Sequence, residues 1–307
     1  MNPDQLRECE KIAIELAKRA GLMMMETSGR NTNIETKLSP VDLVTETDKA
    51  VEKLVFDELK KRFPDHRFIG EESFTGKVNL TDCPTWIIDP IDGTMNFVHT
   101  FPFCCISIGL TVGKEVIFGL IYSPFLNKLY TAKKGQGAYC NGEPIHVRHC
   151  DSFKSALLIN ELGSNRTDEH QKIYFGNLAA IGWKCQGVRS LGSAALNACM
   201  LANGYVDAYF EYGLHCWDLA AGSIIIQEAG GTVLDPEGGP FNLMSRRILA
   251  ASNEKVAREI QGLSLAIALT NMINHSLSLI CKLHQTHSNA KKYGIKQIKL
   301  HIEKKCN

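Results

Sequence analysis

The sequence predicts an α/β fold in which helices are layered on sheets. Two patterns carry this prediction: two amphipathic helices precede a run of alternating strands in the first half, and short strands alternate with apolar helices in the second. At 307 residues, 44% of them hydrophobic, the chain can bury a large core as one domain or as two closely packed halves.

The first half contains two helical patterns followed by a strand pattern. Residues 4–27 repeat apolar side chains at the spacing of a helix with one buried face. Residues 46–63 repeat this spacing and end before Pro64, which a helix interior does not accept. Residues 103–132 alternate apolar and polar positions between turn-forming residues, and we therefore predict an antiparallel meander there.

The second half predicts strands and helices in regular alternation. The predicted strands lie near 156–160, 184–188 and 206–210, and the predicted helices cover 168–181, 192–202 and 217–229. No internal repeat is evident, and no G-x-G-x-x-G follows a strand to suggest a dinucleotide site.

The segment 86–94, Trp-Ile-Ile-Asp-Pro-Ile-Asp-Gly-Thr, is the most informative part of the chain. It predicts a buried strand that ends at Asp89 and Asp92, at the carboxyl end where α/β sheets bind their ligands. Its proline disfavours helix and its glycine permits a turn, in which the N–H groups of Gly93 and Thr94 can hold an anion. Two carboxylates beside such a turn imply a cation between them.

Two simpler interpretations compete with a metal site. Asp, Pro and Gly also form ordinary turns after strands. An EF-hand loop fails, because the twelfth position counted from Asp89 is Thr100 rather than Glu. Other acids favour the metal site: Glu71 follows a short apolar strand, and Asp48 and Asp218 each lie where a predicted helix begins. An acid in a first helical turn is common, so the set rather than any member carries the inference.

These segments, in this order, resemble the inositol monophosphatase family. The resemblance covers about residues 4–261 and rests on Asp89-Pro-Ile-Asp-Gly-Thr94, Gly70-Glu71-Glu72, Trp217-Asp218 and Glu228-Ala-Gly-Gly231. Further segments, among them Ser39-Pro-Val-Asp-Leu-Val-Thr45 and Asn96-Phe-Val-His99, resemble the animal-type members. The family belongs to a lithium-sensitive phosphatase superfamily that includes fructose-1,6-bisphosphatase. One departure is Met95, where members usually carry a second threonine.

The resemblance implies a fold, a reaction and an assembly. The fold is a five-layer αβαβα sandwich, and the chain forms a homodimer. The reaction is the lithium-inhibited hydrolysis of inositol monophosphate, with two to three Mg²⁺ ions in each active site, and it supplies free inositol for phosphoinositide synthesis. Oxygen ligands independently favour Mg²⁺ over zinc.

The resemblance also assigns site residues. The metal ligands are Glu71, Asp89, the Ile91 carbonyl, Asp92 and Asp218. The catalytic residues are Thr94 and Asp48, which assist the attacking water, together with Glu71. Substrate contacts comprise Asp92, Gly93, Thr94, Ser164, Ala194, Glu211 and Asp218.

Composition narrows the class of protein further. A formal net charge of +1 provides no basic field for nucleic acid. The 11 cysteines include no C-x-x-C pair, and the chain begins with polar residues rather than a signal peptide, so we expect a cytoplasmic location. We expect one domain over 1–261 and an appended basic tail over 262–307, disordered or loosely helical. Polar residues within the tail argue against a membrane anchor.

Two other functions remain open from the sequence. The first keeps the chemistry and changes the substrate to another sugar phosphate or to a 3′-phosphonucleotide. The second is a non-catalytic paralogue that acts as a binding protein.

Overall fold

The computed structural model describes residues 1–30, 34–36, 43–76 and 79–263. The helices are α1 (Pro3–Thr27), α2 (Glu46–Arg62), α3 (Thr94–Val98), α4 (Asp168–Gly182), α5 (Ala194–Ala202), α6 (Cys216–Glu228) and α7 (254–263). The strands are β1 (Ile34–Thr36), β2 (Leu43–Thr45), β3 (Arg67–Gly70), β4 (Thr85–Asp92), β5 (Cys105–Val112), β6 (Glu115–Ser123), β7 (Lys128–Lys133), β8 (Ala138–Cys140), β9 (Glu143–Ile145), β10 (Leu157–Asn160), β11 (Gly187–Arg189), β12 (Ala208–Tyr212), β13 (Thr232–Leu234) and β14 (Arg247–Ala251).

The larger sheet has seven strands in the order β3-β4-β5-β6-β7-β8-β9. Only β3 and β4 pair in parallel, and every later pair is antiparallel. The meander predicted over 103–132 is confirmed by β5, β6 and β7, whose connections are short enough for consecutive antiparallel strands.

The second sheet has five strands in the order β11-β10-β12-β14-β13. Strand β10 pairs in parallel with β11 and β12, and α4 and α5 connect these strands as crossovers. Strands β11 and β12 begin three and two residues later than the sequence predicted. The antiparallel β14 lies between β12 and β13.

Buried side chains from the two faces of each sheet build a five-layer stack. Helices α1 and α2 pack on one face of the seven-stranded sheet, where the cluster contains Leu16, Val55, Trp86, Ile108 and Leu120. The opposite face meets α5 and α6, which also cover one face of the five-stranded sheet through Ile87, Ile121, Leu196, Ile225 and Tyr209. The remaining face packs against α4 and α7 through Leu158, Phe210, Ile181, Val256 and Ile260. The predicted αβαβα order is therefore confirmed.

Strand β4 ends at Asp92, the second of the two carboxylates at which the sequence predicts the strand to end. It runs through Pro90 without a break. A register shift makes this possible: Asp89 lies opposite Ser107, and Asp92 lies opposite Cys105. Such a bulge tolerates a proline, because the extra residue is excluded from the ladder of hydrogen bonds.

The described residues end shortly after the predicted boundary between the domain and the tail. Helix α7 runs through residue 263, two residues beyond the predicted end of the domain, and the rest of the predicted tail lies outside the described residues. Within the residues described, no helix combines the length and the apolar character needed to cross a membrane. Free thiols in the described part of the chain include the buried Cys105 and Cys199 and the exposed Cys83.

Candidate active site

Strand β4 carries two buried carboxylates at its carboxyl end. Asp89 is 2% exposed and Asp92 is 7% exposed, although carboxylates seldom lie inside a fold without a partner. The bulge between them changes the pleat, so that side chains three positions apart can approach one site.

Helix α6 brings a third carboxylate to the same point. Asp218 lies in its first turn and accepts a hydrogen bond at 2.6 Å from the backbone N–H of His215, which caps the helix. One carboxylate oxygen from each of Asp89, Asp92 and Asp218 lies within 4.8 Å of the others. The structure therefore brings together three of the predicted metal ligands.

Burial and mutual repulsion disfavour the charged forms of these acids. Burial raises the pKa of Asp92 to about 6, although hydrogen bonds from Ser193, Ala195 and Ala194 oppose the shift. The pKa of Asp218 lies well above its usual range because of burial and then the charges of Asp92 and Glu71. Glu71 thus lies close enough to act on Asp218. A cation among these groups would stabilise all the carboxylates at once.

The N-terminus of α5 fixes the orientation of Asp92. The Ser193 hydroxyl and the backbone N–H of Ala195, at 2.8 Å, both donate to Oδ2 of Asp92. The N–H of Ala194 donates to Oδ1 at 3.3 Å. Ala194, a predicted substrate residue, therefore lies directly beside Asp92. Both carboxylate oxygens of Asp92 accept hydrogen bonds from the N-terminus of α5.

Helix α2 supplies one member of the predicted catalytic pair, and Thr94 at the start of α3 is the other. Asp48 is fully buried in its first turn, and its Oδ2 accepts hydrogen bonds from the hydroxyl and the N–H of Thr45. Its Oδ1 accepts from the Thr94 hydroxyl at 3.2 Å, and that hydroxyl also lies 2.9 Å from the Ile91 carbonyl oxygen. Thr94 and Asp48 are therefore in contact, and the Ile91 carbonyl lies beside Thr94.

Gly93 forms the turn between β4 and α3. Its φ of 88° lies in the left-handed region, where glycine carries no steric penalty. A Cβ at this position would lie 3.0 Å from the Gly192 carbonyl oxygen. Glycine thus lets the turn after β4 approach the turn that precedes α5, and Thr94 begins α3.

The two remaining residues that the sequence analysis predicts to contact substrate differ in burial. Glu211 on β12 is 5% exposed and accepts a hydrogen bond from the Tyr209 hydroxyl. Its pKa is raised well above the usual range by burial and by Glu161, with smaller contributions from Asp218 and Asp92. Ser164 lies exposed in the loop that follows β10.

Two acids near the site were not predicted. Oε1 of Glu161 accepts from the N–H of Leu191 at 2.6 Å, the N–H of Gly192 at 3.0 Å and the Asn197 amide at 2.9 Å. It holds the turn that leads to Ser193 and Ala194. Its position directly after an apolar strand was an available signal, the same one that marked Glu71.

Glu52 is the second unpredicted acid. It is 4% exposed on α2, one helical turn after Asp48, and its Oε2 accepts from the backbone N–H of Glu72 at 2.8 Å. Its signal was an acid on the buried face of the helix, next to Val51 and close to Val55.

A sequence profile of the inositol monophosphatase family matches residues 5–266. The chain belongs to the inositol monophosphatase family. It is 48% identical to Inositol monophosphatase 1 of Homo sapiens over 269 residues, which cover 85% of this chain and 97% of that protein. It is 47% identical to Inositol monophosphatase 2 of Rattus norvegicus over 253 residues, 81% of this chain and 87% of the relative.

Solved structures have the same fold. The IMPase of Thermotoga maritima superposes with a TM-score of 0.76 at 33% identity, covering 86% of this chain and 99% of the other. A structure of SaIMPase-II with inositol monophosphate bound gives a TM-score of 0.71 at 28% identity, over 91% of this chain and 99% of that one. The family resemblance and the fold class predicted from the sequence are both confirmed. The chain is a phosphatase of this family.

Proposed function

We propose that this protein hydrolyses inositol monophosphates to inositol and inorganic phosphate, with Mg²⁺ as its metal. The observation that carries the proposal is the convergence of Asp89, Asp92 and Asp218 within 4.8 Å, beside the contact between Thr94 and Asp48. Support comes from the 48% identity to Inositol monophosphatase 1 of Homo sapiens and from the SaIMPase-II structure that holds inositol monophosphate.

The donor set fits a hard cation. The three converging side chains are carboxylates, and burial together with the repulsion of neighbouring charges raises the pKa of Asp92 and of Asp218. Oxygen ligands of this kind suit Mg²⁺, whereas zinc sites recruit His or Cys. We propose Glu71, Asp89, the Ile91 carbonyl, Asp92 and Asp218 as the ligands of two to three ions. When bound, Mg²⁺ supplies charge neutralisation and acidifies a water molecule.

The chain's own residues then perform three tasks. Thr94 and Asp48 accept the proton of the attacking water, because the hydroxyl can receive a hydrogen bond while it donates to the buried carboxylate. The backbone N–H groups of Gly93 and Thr94 hold phosphate oxygens. Asp92, Ala194, Glu211 and Ser164 contact the inositol hydroxyls.

Further parts of the proposal concern cellular role and assembly. We propose a cytoplasmic enzyme that supplies inositol for phosphoinositide synthesis and works as a homodimer. Exposed aromatic side chains support a pairing surface near α4, since Phe175 is 52% exposed and Trp183 is 90% exposed. Light scattering of the purified chain measures the mass directly, and a monomer at micromolar concentration would contradict the dimer.

The test of the reaction is phosphate release from inositol 1-phosphate with and without Mg²⁺. Fructose-1,6-bisphosphate and 3′-phosphoadenosine 5′-phosphate serve as comparison substrates, and millimolar lithium serves as the inhibitor. We expect Mg²⁺-dependent, lithium-sensitive release from the inositol ester. Faster release from either comparison substrate would overturn the substrate assignment, and no release from any ester would overturn the enzyme.

A further inference from the structure

We infer that Glu52 is a positioning residue, which holds the turn at Glu71 and Glu72 so that Glu71 points into the metal site. The inference rests on the proposed function, because it concerns the metal role of Glu71. In the described part of the chain the acids that converge within 4.8 Å are Asp89, Asp92 and Asp218, and neither Glu52 nor Glu71 is among them. The charge of Glu71 nevertheless acts on Asp218, whereas Glu52 contacts the backbone beside Glu71.

The first observation is that the backbone on both sides of the Glu71 side chain is held. The N–H of Glu71 donates to the Ile88 carbonyl at 3.3 Å, which ties the turn to β4. The next N–H, that of Glu72, donates to Oε2 of Glu52 at 2.8 Å, which ties it to α2. These two hydrogen bonds, to different elements, fix the direction of the Glu71 side chain. The charge of Glu71 raises the pKa of Asp218.

The second observation is that the chain makes room for Glu52. A Cβ on Gly70 would lie 2.3 Å from Oε2 of Glu52 and 2.7 Å from a ring carbon of Phe56. No side chain larger than hydrogen fits there unless the Glu52 carboxylate moves. The glycine before the two glutamates is therefore explained by the close approach of Glu52.

The third observation concerns helix α2 as a whole. Asp48 and Glu52 are four residues apart, and therefore lie on the same face of the helix. Both are buried, at 0% and 4% exposure. Asp48 contacts Thr94 after β4, and Glu52 contacts Glu72 after β3, so one helical face aligns two loops of the site.

The cost of burying Glu52 indicates that its hydrogen bond matters. A buried carboxylate is stabilised by charge-assisted bonds from backbone N–H groups, and those bonds are stronger than neutral ones. Groups that orient metal ligands in this way commonly change metal affinity by about 10- to 100-fold when they are removed.

Two substitutions separate the hydrogen bond from the charge. Glu52→Gln removes the charge and keeps an acceptor oxygen at the same reach, while Glu52→Asp keeps the charge and shortens the reach by one methylene. Gly70→Ala leaves Glu52 in place but displaces its carboxylate. The matched control is Glu228→Gln, because Glu228, like Glu52, accepts hydrogen bonds from backbone N–H groups far away in the sequence, here those of Gly135 at 2.7 Å and Gly137 at 2.8 Å. It lies ten residues beyond Asp218 on α6, about 15 Å along the axis.

The experiment measures Mn²⁺ binding to the full chain by electron paramagnetic resonance, with thermal unfolding in the absence of metal and Mg²⁺-dependent phosphate release alongside. We expect Glu52→Asp and Gly70→Ala to bind Mn²⁺ about tenfold more weakly than the unaltered chain. Glu52→Gln and Glu228→Gln should bind as the unaltered chain does. The half-saturating Mg²⁺ concentration for phosphate release should rise in Glu52→Asp and Gly70→Ala and stay unchanged in Glu52→Gln and Glu228→Gln.

Several outcomes would overturn the inference. Normal Mn²⁺ binding by Glu52→Asp and Gly70→Ala would exclude positioning through this bond, and an equal loss in Glu52→Gln would show that the charge acts instead. A variant that loses binding only because it unfolds is identified by its melting curve, and Gly70→Ala then decides. If the unaltered chain binds Mn²⁺ but releases no phosphate, the proposed function fails while the role of Glu52 is still measured. If it binds no metal, both fail.

Discussion

The Thr94 hydroxyl lies 3.2 Å from Oδ1 of Asp48, across 46 positions of sequence. The other oxygen of Asp48 is engaged by Thr45, so the carboxylate cannot rotate away without breaking the cap of α2. A threonine hydroxyl has one proton to donate and two lone pairs to accept with. If its proton passes to Asp48, the threonine oxygen can take up a proton from a water molecule in the same transfer, so that Asp48 ends as the protonated acid.

This contact predicts that Thr94→Val loses at least about a hundredfold in kcat, as is typical when a proton-transfer group is removed. Valine has nearly the same shape as threonine, so the fold and the affinity for Mg²⁺ should persist. Steady-state phosphate release measures kcat. Thr131→Val on β7, away from the site, is the control and should behave as the unaltered chain does. Equal turnover in both variants would exclude the pair from catalysis.

Asp92→Asn separates metal binding from folding. Because burial raises the pKa of Asp92 to about 6, the ionised form destabilises the metal-free fold above that pH. The amide removes this charge, and its oxygen can still accept from the Ser193 hydroxyl. At pH 7.5 without metal, we therefore expect the variant to melt at the same temperature as the unaltered chain or higher.

With Mg²⁺ the order should reverse. A cation that binds only the folded state raises its melting temperature, and the variant has lost one proposed ligand. We expect turnover to vanish and the Mg²⁺-induced rise in melting temperature to shrink. Asp82→Asn, on the exposed surface before β4, is the control. A normal Mg²⁺ response in Asp92→Asn would contradict the metal site.

Glu211→Gln tests the inositol contact. Glu211 is buried and bonded by the Tyr209 hydroxyl, and we propose that its carboxylate receives an inositol hydroxyl. Weakening such a charge-assisted bond should raise KM for inositol 1-phosphate about tenfold and leave the half-saturating Mg²⁺ concentration unchanged. Glycerol 2-phosphate, which lacks the ring, should show little change. Glu143→Gln on β9 is the control. A shift in the Mg²⁺ requirement instead would place Glu211 at the metal.

The sequence predicted the three converging acids better than the acids that hold the backbone around them. Asp89, Asp92 and Asp218 were found because each stands at the end of an apolar strand or the beginning of an apolar helix, where a charge is visible against its surroundings. The roles of Thr94 and Asp48 came from the resemblance, and their contact required the folded chain to be seen. The order of the five layers likewise came from the resemblance.

Glu52 and Glu161 each had a sequence signal, but the partners that give these acids their roles could not be found from the sequence. Each accepts from backbone N–H groups far away in the sequence, Glu52 from a residue 20 positions away and Glu161 from residues 30 and 31 positions away. A backbone donor has no sequence signature of its own. The bulge that admits Pro90 to β4 likewise depends on the register with β5, which the sequence alone does not show.

His66 predicts a pH-dependent contribution to stability. The indole N–H of Trp86 donates to its Nδ1 at 3.1 Å, and the ring stacks on Phe63 with centroids 4.9 Å apart. Partial burial lowers the pKa of His66 from 6.5. Because the folded-state pKa lies below that of the unfolded chain, the neutral ring contributes stability above pH 6.5, and this contribution is lost as the pH falls.

His66→Phe keeps the stacked ring and removes both the acceptor and the titration. We expect the variant to be less stable than the unaltered chain at pH 7.5, and the gap to narrow at pH 5.5 by less than about 1 kcal/mol, since solvent screens a half-exposed group. Urea unfolding of both proteins at the two pH values measures the gap. The buried acids of the active site titrate equally in both proteins, so their effect cancels in the difference. A gap of the same size at both pH values would mean that His66 does not titrate in this range, and that only its packing and its bond to Trp86 stabilise the fold.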